Sequence, residues 1–447
     1  MNSVANDKKV ETTDDHQEKE AANTSSMTPE LQATIDAFRK HLDLPDPGPL
    51  LVALATVAAN RIDGDPVWLL QVGPPSSGKT EILQSLTALS DIYSIGQVTE
   101  AGLLSGSSTK DVDPGASGGL LMKIGIGGQG IILFKDFGSI LSMGREARKS
   151  VLAAFREIYD GSWTRTLGTD GGRSYSWNGK VGAIGAVTED IERLHSVMAT
   201  MGERFLLYRM PRLDDAEREI RIEKALEHGS NVEQMRNDLK LAVHTLFKDG
   251  LQETNVANAE QNKIPNDLAM VVAPWRSSVI RNGQSREIEI VPETEIPTRI
   301  SKNFQQLQHG FRAIGLNEDE AGKQLVRVGL DSIPLVRGKI LRMLIEGPHS
   351  TSDISEQLVG YSRSTIDRHL AEVRAHRGVE VRTLERGQLP RWILPEKIAE
   401  RLTRLGVGPI SPRGGVADRS QPEMSDSQER EGSRGFSHQT KPVGTES

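Results

Sequence analysis

The chain has 447 residues, 54 Lys or Arg against 61 Asp or Glu for a formal charge of −7, and no cysteine. The missing cysteine excludes disulfides, thiolate zinc sites, thiol nucleophiles and iron–sulfur clusters together. With 36% hydrophobic and 26% charged residues this is not one long disordered chain, while 4% aromatics argue against a base-stacking platform and net acidity against coating DNA by bulk charge.

Residues 1–27 carry six acidic and three basic side chains and read as a disordered acidic tail. They hold no apolar segment of the secretory kind, and the longest apolar stretch, 50–59, is about half a bilayer span, so a cytoplasmic protein without a membrane partner is expected. An N-terminal helical segment is expected over 28–64. Thr28-Pro29 starts one helix, with Leu31, Ile35, Phe38 and Leu42 on one face, and 50–60 forms a second, buried one. Strand candidates follow at 67–72, 131–134, 181–187 and 205–208, with helices at 81–89, 144–159, 190–201 and 214–228. This alternation predicts an α/β fold with a mostly parallel sheet over 65–215. A helical lid and linker over 216–333 follows, with a polar interruption near 255–295, then a small module over 334–405. Residues 406–447 hold 18 Gly, Pro or Ser and read as a second disordered tail.

The first strand runs into Gly73-Pro74-Pro75-Ser76-Ser77-Gly78-Lys79-Thr80, which fits the phosphate-binding pattern G-x-x-x-x-G-K-[ST] at every fixed position. Glycines let backbone N–H groups approach phosphate oxygens, Lys79 reaches the β- and γ-phosphates, and the Thr80 hydroxyl suits Mg²⁺. The helix that begins near Lys79 and carries Glu81 aims its N-terminal dipole at the same anion. A second acidic element, Gly130-Ile131-Ile132-Leu133-Phe134-Lys135-Asp136, is an apolar strand ending in a carboxylate, the arrangement that places an acid beside Mg²⁺. ATP and Mg²⁺ are the cofactors this pair of motifs implies. Lys123 to Gly130 is Gly-rich but precedes a strand, the wrong order for a dinucleotide fingerprint.

Over about 65–330 the chain resembles AAA+ P-loop ATPases of phages and mobile elements, in the branch of the minichromosome-maintenance helicases and the enhancer-binding activators. The resemblance adds four features to the two motifs. Thr99 to Gly106 stands where that branch inserts a loop, and Tyr159 to Trp163 through Trp177-Asn178-Gly179 stands where a pre-sensor hairpin would lie. Gly185-Ala186-Val187-Thr188 ends a strand with a hydroxyl, and Gly202-Glu203-Arg204-Phe205 leads into the next strand. The resemblance implies Thr188 as sensor 1, Arg204 as an arginine finger given to a neighbouring subunit, and Arg299 as sensor 2. Hence it implies a homo-oligomer in the form of a ring, a hexamer being one size open to it. Thr188 equally fits a cap on the helix from Asp190, Arg204 an ion pair with Glu203 or Asp214, and Arg299 a solvated helix start. One departure matters. The family strand ends Asp-Glu, whereas here Lys135 takes the Asp place and Asp136 the Glu place. Either Asp136 serves both needs, or a one-residue slip makes it the metal ligand and leaves no catalytic acid, with Glu81 and Glu100 as substitutes.

The segment 334–405 reads as a winged helix-turn-helix. Leu335, Ile340, Leu341 and Leu344 mark a first helix, Ile354 and Leu358 a second, and Ile366, Leu370 and Val373 the core face of a third beginning at Arg363. Two short β-runs, 379–383 and 391–394, would be the wing. Its 13 Lys or Arg against 9 Asp or Glu leave a local charge of +4. Arg363, Ser364 and Arg368 fall on the half of a recognition helix that enters the major groove, and Arg382, Arg386 and Arg391 fall on the wing, within reach of phosphates. A winged helix used for protein docking is the competing reading. The whole chain then reads as an ATP hydrolase acting on DNA, a helicase or replication-initiator-like motor of a mobile element. The alternative is an ATP-controlled transcriptional or signalling switch, or an adaptor, with slow hydrolysis.

Overall fold

A computed structural model describes residues 26–104, 119–166, 174–194, 204–227, 231–248, 250–251, 263–294, 296–382 and 389–408. The first element is the helix α1, Pro29–His41. Thr28 caps it by accepting from the Leu31 N–H, Pro29 occupies its first turn, and Leu31, Ile35 and Phe38 are buried. The second, α2 (Gly48–Arg61), is buried from Gly48 to Asn60, so the longest apolar stretch of the chain is a core helix. Buried Asn60 is satisfied by the Thr56 and Val67 carbonyls and by the Val67 N–H, which fixes the turn into the first strand. Among the described residues no helix is long and apolar enough to cross a membrane.

Five strands form a parallel sheet in the order β2-β3-β5-β1-β6: β1 Trp68–Val72, β2 Ile92–Ile95, β3 Gly128–Phe134, β5 Ser174–Val187 and β6 Phe205–Arg209. The register sets Trp68 beside Ala183 and Phe205. Side chains alternate cleanly between two apolar layers. Leu69, Leu133, Ile184, Leu206 and Tyr208 join the layer of α1 and α2, while Trp68, Leu70, Phe134, Ala183 and Phe205 join the other. In the second layer Phe155, from the helix Arg145–Tyr159, packs edge-on to Trp68 at 5.8 Å and to Phe134 at 5.6 Å.

The structure differs from the sequence reading at several places. β2 is an additional, half-buried edge strand. β5 begins seven residues earlier than expected, because its first part pairs antiparallel with β4 (Ser162–Thr166), the hairpin expected around Trp163 and Trp177. The helix expected over 190–201 is instead a 3₁₀ turn, Glu189–Leu194, with 195–203 outside the described residues. The polar stretch near 255–295 contains a two-stranded hairpin, β7 (Ile280–Arg281) with β8 (Ile288–Ile290).

The helices Val232–Lys248, Lys263–Arg276, Thr298–Ala313 and Glu318–Asp331 add buried residues to the first layer, while Asp215–Glu227 leaves Ile220, Ile222 and Leu226 exposed. Thr298–Ala313 crosses α2 closely at Gly310, where any β-carbon would collide with the Ala55 carbonyl oxygen. The winged helix follows: Leu335–Glu346, Thr351–Gln357 with a Ser350/Asp353 capping box, Arg363–Ala375, and the antiparallel pair β9 (Glu380–Arg382) and β10 (Arg391–Ile393). An unexpected last helix, Glu396–Arg404, returns to Lys263–Arg276. Ile398 and Leu402 are buried, and Arg404 grips Asp267 at 2.7 and 2.8 Å. The tails through Ser25 and from Pro409 lie outside the described residues, as do Ser105-Gly106 and Gly202-Glu203.

Candidate functional site

The carboxyl ends of β1, β3 and β5 open on one side of the sheet, where open α/β sheets bind ligands. β1 leads into the Gly73–Thr80 loop, β3 into Lys135-Asp136 and β5 into Thr188. All three line one cavity of about 570 Å³, within the range of small-molecule sites. Pro75, Ser76, Ser77, Gly78, Lys79, Thr80 and Glu81 form its floor. Ser76 and Gly78 adopt the left-handed backbone conformation, and no atom lies within 4 Å of where a Gly78 β-carbon would project. Gly73 starts the loop by donating its N–H to the Val187 carbonyl at 3.1 Å. A β-carbon there would run into Met210.

Lys79 is buried. Its ammonium donates to the Gly73 and Pro74 carbonyls at 2.8 and 2.7 Å and to the Ser77 hydroxyl at 2.9 Å. Burial pulls its pKa below the ordinary lysine value, and the Asp136 carboxylate opposes that shift. Asp136 is exposed to the cavity, and its Oδ1 accepts from the Gly138 N–H at 2.8 Å. Lys135 lines the same cavity. The Thr188 hydroxyl donates to Asp190 Oδ2 at 3.3 Å, and its carbonyl accepts from the Ile191 N–H. Thr188 thus lines the cavity and precedes the 3₁₀ turn, and its hydroxyl donates to Asp190 instead of accepting a backbone N–H as a cap would.

Four charged side chains in the cavity wall escaped the sequence reading: Asp43, Arg221, Lys224 and Arg236. Asp43 follows α1 and lies 3.8 Å from Arg221 and 3.9 Å from Lys224, both on Asp215–Glu227. Arg236, on Val232–Lys248, makes a two-pronged pair with Glu81 at 2.9 and 2.7 Å. That pair occupies Glu81, and Glu100 is not among the residues that line the cavity.

Two expected residues lie elsewhere. Arg204 stands at the amino end of β6, roughly 16 Å from the carboxyl end by strand geometry. It is buried and donates to both oxygens of Asp160 at 3.0 and 2.7 Å, with its guanidinium 5.1 Å from the Tyr159 ring centre. Asp160 is thus a carboxylate partner of Arg204, while Glu203, one of the two that chain proximity suggested, lies outside the described residues. Arg299 lines a second cavity, at the amino ends of the strands, with Asp65, Tyr159, Asp160, Lys180 and Lys302. Arg299 does not line the cavity over Lys79, whereas Arg221, Lys224 and Arg236 do.

In the C-terminal module, Ile340, Leu341, Leu344, Ile354, Ile366, Leu370 and Val373 are buried together, as the spacing predicts. Arg363, Ser364 and Arg368 are exposed on Arg363–Ala375, whose Ser362 cap accepts from the Thr365 N–H at 3.2 Å. On the wing, Arg382 is exposed and bonded to Glu380 at 2.9 Å. Arg391 donates to the Pro348 carbonyl at 3.0 Å and lies 3.7 Å from Asp353, while Arg386 is outside the described residues. The module's strongest polar feature was not foreseen. Arg337, 2% exposed, donates to the Trp275 and Ser277 carbonyls and to Glu372 at 2.7 Å, and Arg281 of β7 donates to the same carboxylate at 2.8 Å. These cations hold the Glu372 carboxyl below the ordinary range against the opposing effect of burial. Burial, reinforced by Arg337, pushes neighbouring His369 down to about 4.

No curated protein matches the chain. Residues 336–375 match a family model described as bacterial regulatory protein, arsR family. The three helices built around Ile340, Ile354 and Ile366 are thus a helix-turn-helix DNA-binding module at the end of an α/β chain with a mostly parallel sheet.

Proposed function

We propose that the chain is an AAA+-like ATPase that binds ATP with Mg²⁺ between the P-loop and the helical lid, hydrolyses it slowly, and acts on DNA through its helix-turn-helix. The observation that carries this reading is the convergence of Lys79, Thr80, Asp136 and Thr188 from three strand ends on one cavity. Lys79 would exchange its loop carbonyls for β- and γ-phosphate oxygens, and the open space over Gly78 admits them. Thr80 and Asp136 are the residues that would hold Mg²⁺, which when bound neutralises charge on the phosphates. Thr188 would turn its hydroxyl from Asp190 to the γ-phosphate. Arg221, Lys224 and Arg236 supply further positive charge from the lid side.

Slow turnover follows from the carboxylates. Lys135 stands where the family has its metal-binding Asp, Asp43 sits beside Arg221 and Lys224, and Glu81 is held by Arg236. Asp136 alone is left to bind metal and to polarise water. This favours an ATP-controlled switch. A helicase-like or initiator-like motor is the second reading, favoured by the β4–β5 hairpin in its expected place. For either, a homo-oligomer is proposed on the resemblance, and Arg204 would have to leave its pair with Asp160 to reach a neighbour's P-loop. ATPase rates with and without single- and double-stranded DNA, with a duplex-unwinding assay beside them, decide between the two. A slow rate without unwinding is expected, and DNA-stimulated turnover with unwinding establishes the motor.

A further inference from the structure

The 3₁₀ turn Glu189–Leu194 follows directly on Thr188 in the cavity wall and, through Glu192, touches the DNA-binding module. At its start, Thr188 lines the cavity and gives its hydroxyl to Asp190. Farther along, Ile191 is buried in the sheet's second apolar layer. Next to it, Glu192 reaches out of the turn to two partners. Its Oε2 accepts from the N–H of Leu335, the first residue of the module's first helix, at 2.9 Å, and its Oε1 lies 2.6 Å from Arg209.

Arg209 ends β6, the strand paired with β1 beside the P-loop. It is tied to the segment that leads into the module: its N–H donates to Asp331 Oδ2 at 3.0 Å, and its guanidinium donates to the Asp331 and Ile333 carbonyls at 3.0 and 2.9 Å. Glu192 therefore caps the helix that begins the module and closes an ion pair with the arginine that anchors its leading segment. A carboxylate at a helix N-terminus satisfies an otherwise unpaired N–H and opposes the positive end of the dipole. A 3₁₀ turn has weaker hydrogen-bond geometry than an α-helix, so it re-forms at low cost when a flanking bond changes.

We infer that this turn couples the nucleotide cavity to DNA binding, with Glu192 as the positioning residue that reports cavity occupancy to the helix-turn-helix. The inference rests on the proposed nucleotide site. When a γ-phosphate takes the Thr188 hydroxyl, the bond to Asp190 is lost, the turn re-forms, and Glu192 shifts against Leu335 and Arg209. The module then changes its seat on the sheet, and its DNA affinity changes with it.

The test uses the full chain, a fluorescent non-hydrolysable ATP analogue with Mg²⁺, and a labelled random-sequence 30-base-pair duplex. Both affinities are read on the same samples. Wild type is expected to bind the analogue and to change its duplex dissociation constant about fivefold or more between free and bound states, the low end of ordinary coupling. Glu192→Ala is expected to bring that ratio below about twofold while analogue affinity stays within about twofold of wild type. Glu192→Gln keeps the side chain's volume and an acceptor for Leu335 but loses the ion pair, so an intermediate ratio is expected, which guards against a folding defect in the alanine variant. A purely structural Glu192 would lower melting temperature and leave the ratio intact, which overturns the inference. Analogue binding with unchanged duplex affinity in wild type overturns the coupling alone. Failure to bind the analogue overturns the nucleotide site and the coupling together.

Discussion

Lys79 and Arg368 are cations that the proposed function assigns to nucleotide and to DNA, and they are presented in opposite ways. Lys79 is buried and held by two carbonyls and a hydroxyl of its own loop. Arg368 is exposed on a helix whose opposite face is core. The first arrangement resists salt and depends on loop geometry, whereas the second is screened by salt and tolerates rearrangement. Between them stands Arg337, a buried cation inside the DNA-binding module that faces no solvent and holds the recognition helix to the rest of the chain.

The contrast between buried and exposed charge can be broken most severely at Arg337. Arg337→Ala leaves Glu372 in a half-closed site with Arg281 alone, so a loss of about 3–5 kcal/mol in unfolding free energy is expected by denaturant titration. Lys79→Ala is expected to weaken ATP–Mg²⁺ binding about 100-fold with little change in melting temperature, measured by calorimetry, since a charged hydrogen bond to phosphate is lost. A smaller effect, about tenfold on duplex DNA, is expected for Arg368→Ala by anisotropy. Raising salt from 50 to 200 mM sharpens the same comparison, because duplex affinity should fall steeply and nucleotide affinity far less. The smallest effect concerns His369. Its folded pKa of about 4 lies below the unfolded value, so the folded state favours the neutral ring. That stability is complete above about pH 6.5 and is lost as pH falls through about 4. His369→Gln should recover about 1 kcal/mol of the stability lost between about pH 7 and 5.5, read from melting curves at both values.

The sheet was legible where strands are buried on both faces, because β1, β3 and the second half of β5 read as apolar runs. β2 was not, since an edge strand of Ile92, Tyr93, Ser94 and Ile95 shows no such run. The Gly73–Thr80 loop was legible because its residue types carry their own backbone geometry. The lid cations were not. Arg221 and Arg236 acquire a position only when two distant helices pack beside α1 and the helix Lys79–Ser85, and neither has a motif spacing around it. Arg299 is the opposite case. Its place at a helix start was read correctly, but that start lies at the amino pole of the sheet, which chain position alone does not reveal. Arg204 and Asp160 are 44 positions apart and meet beside Tyr159, so chain proximity did not reveal that partner.

The central claim is that the cavity over Lys79 is a nucleotide site. Equilibrium titration of the full chain with fluorescent ATP in the presence and absence of Mg²⁺ tests it most directly. Saturable, one-to-one, Mg²⁺-strengthened binding that unlabelled ATP displaces is the predicted result. No saturable binding in either condition, from protein whose melting transition shows it folded, would contradict it.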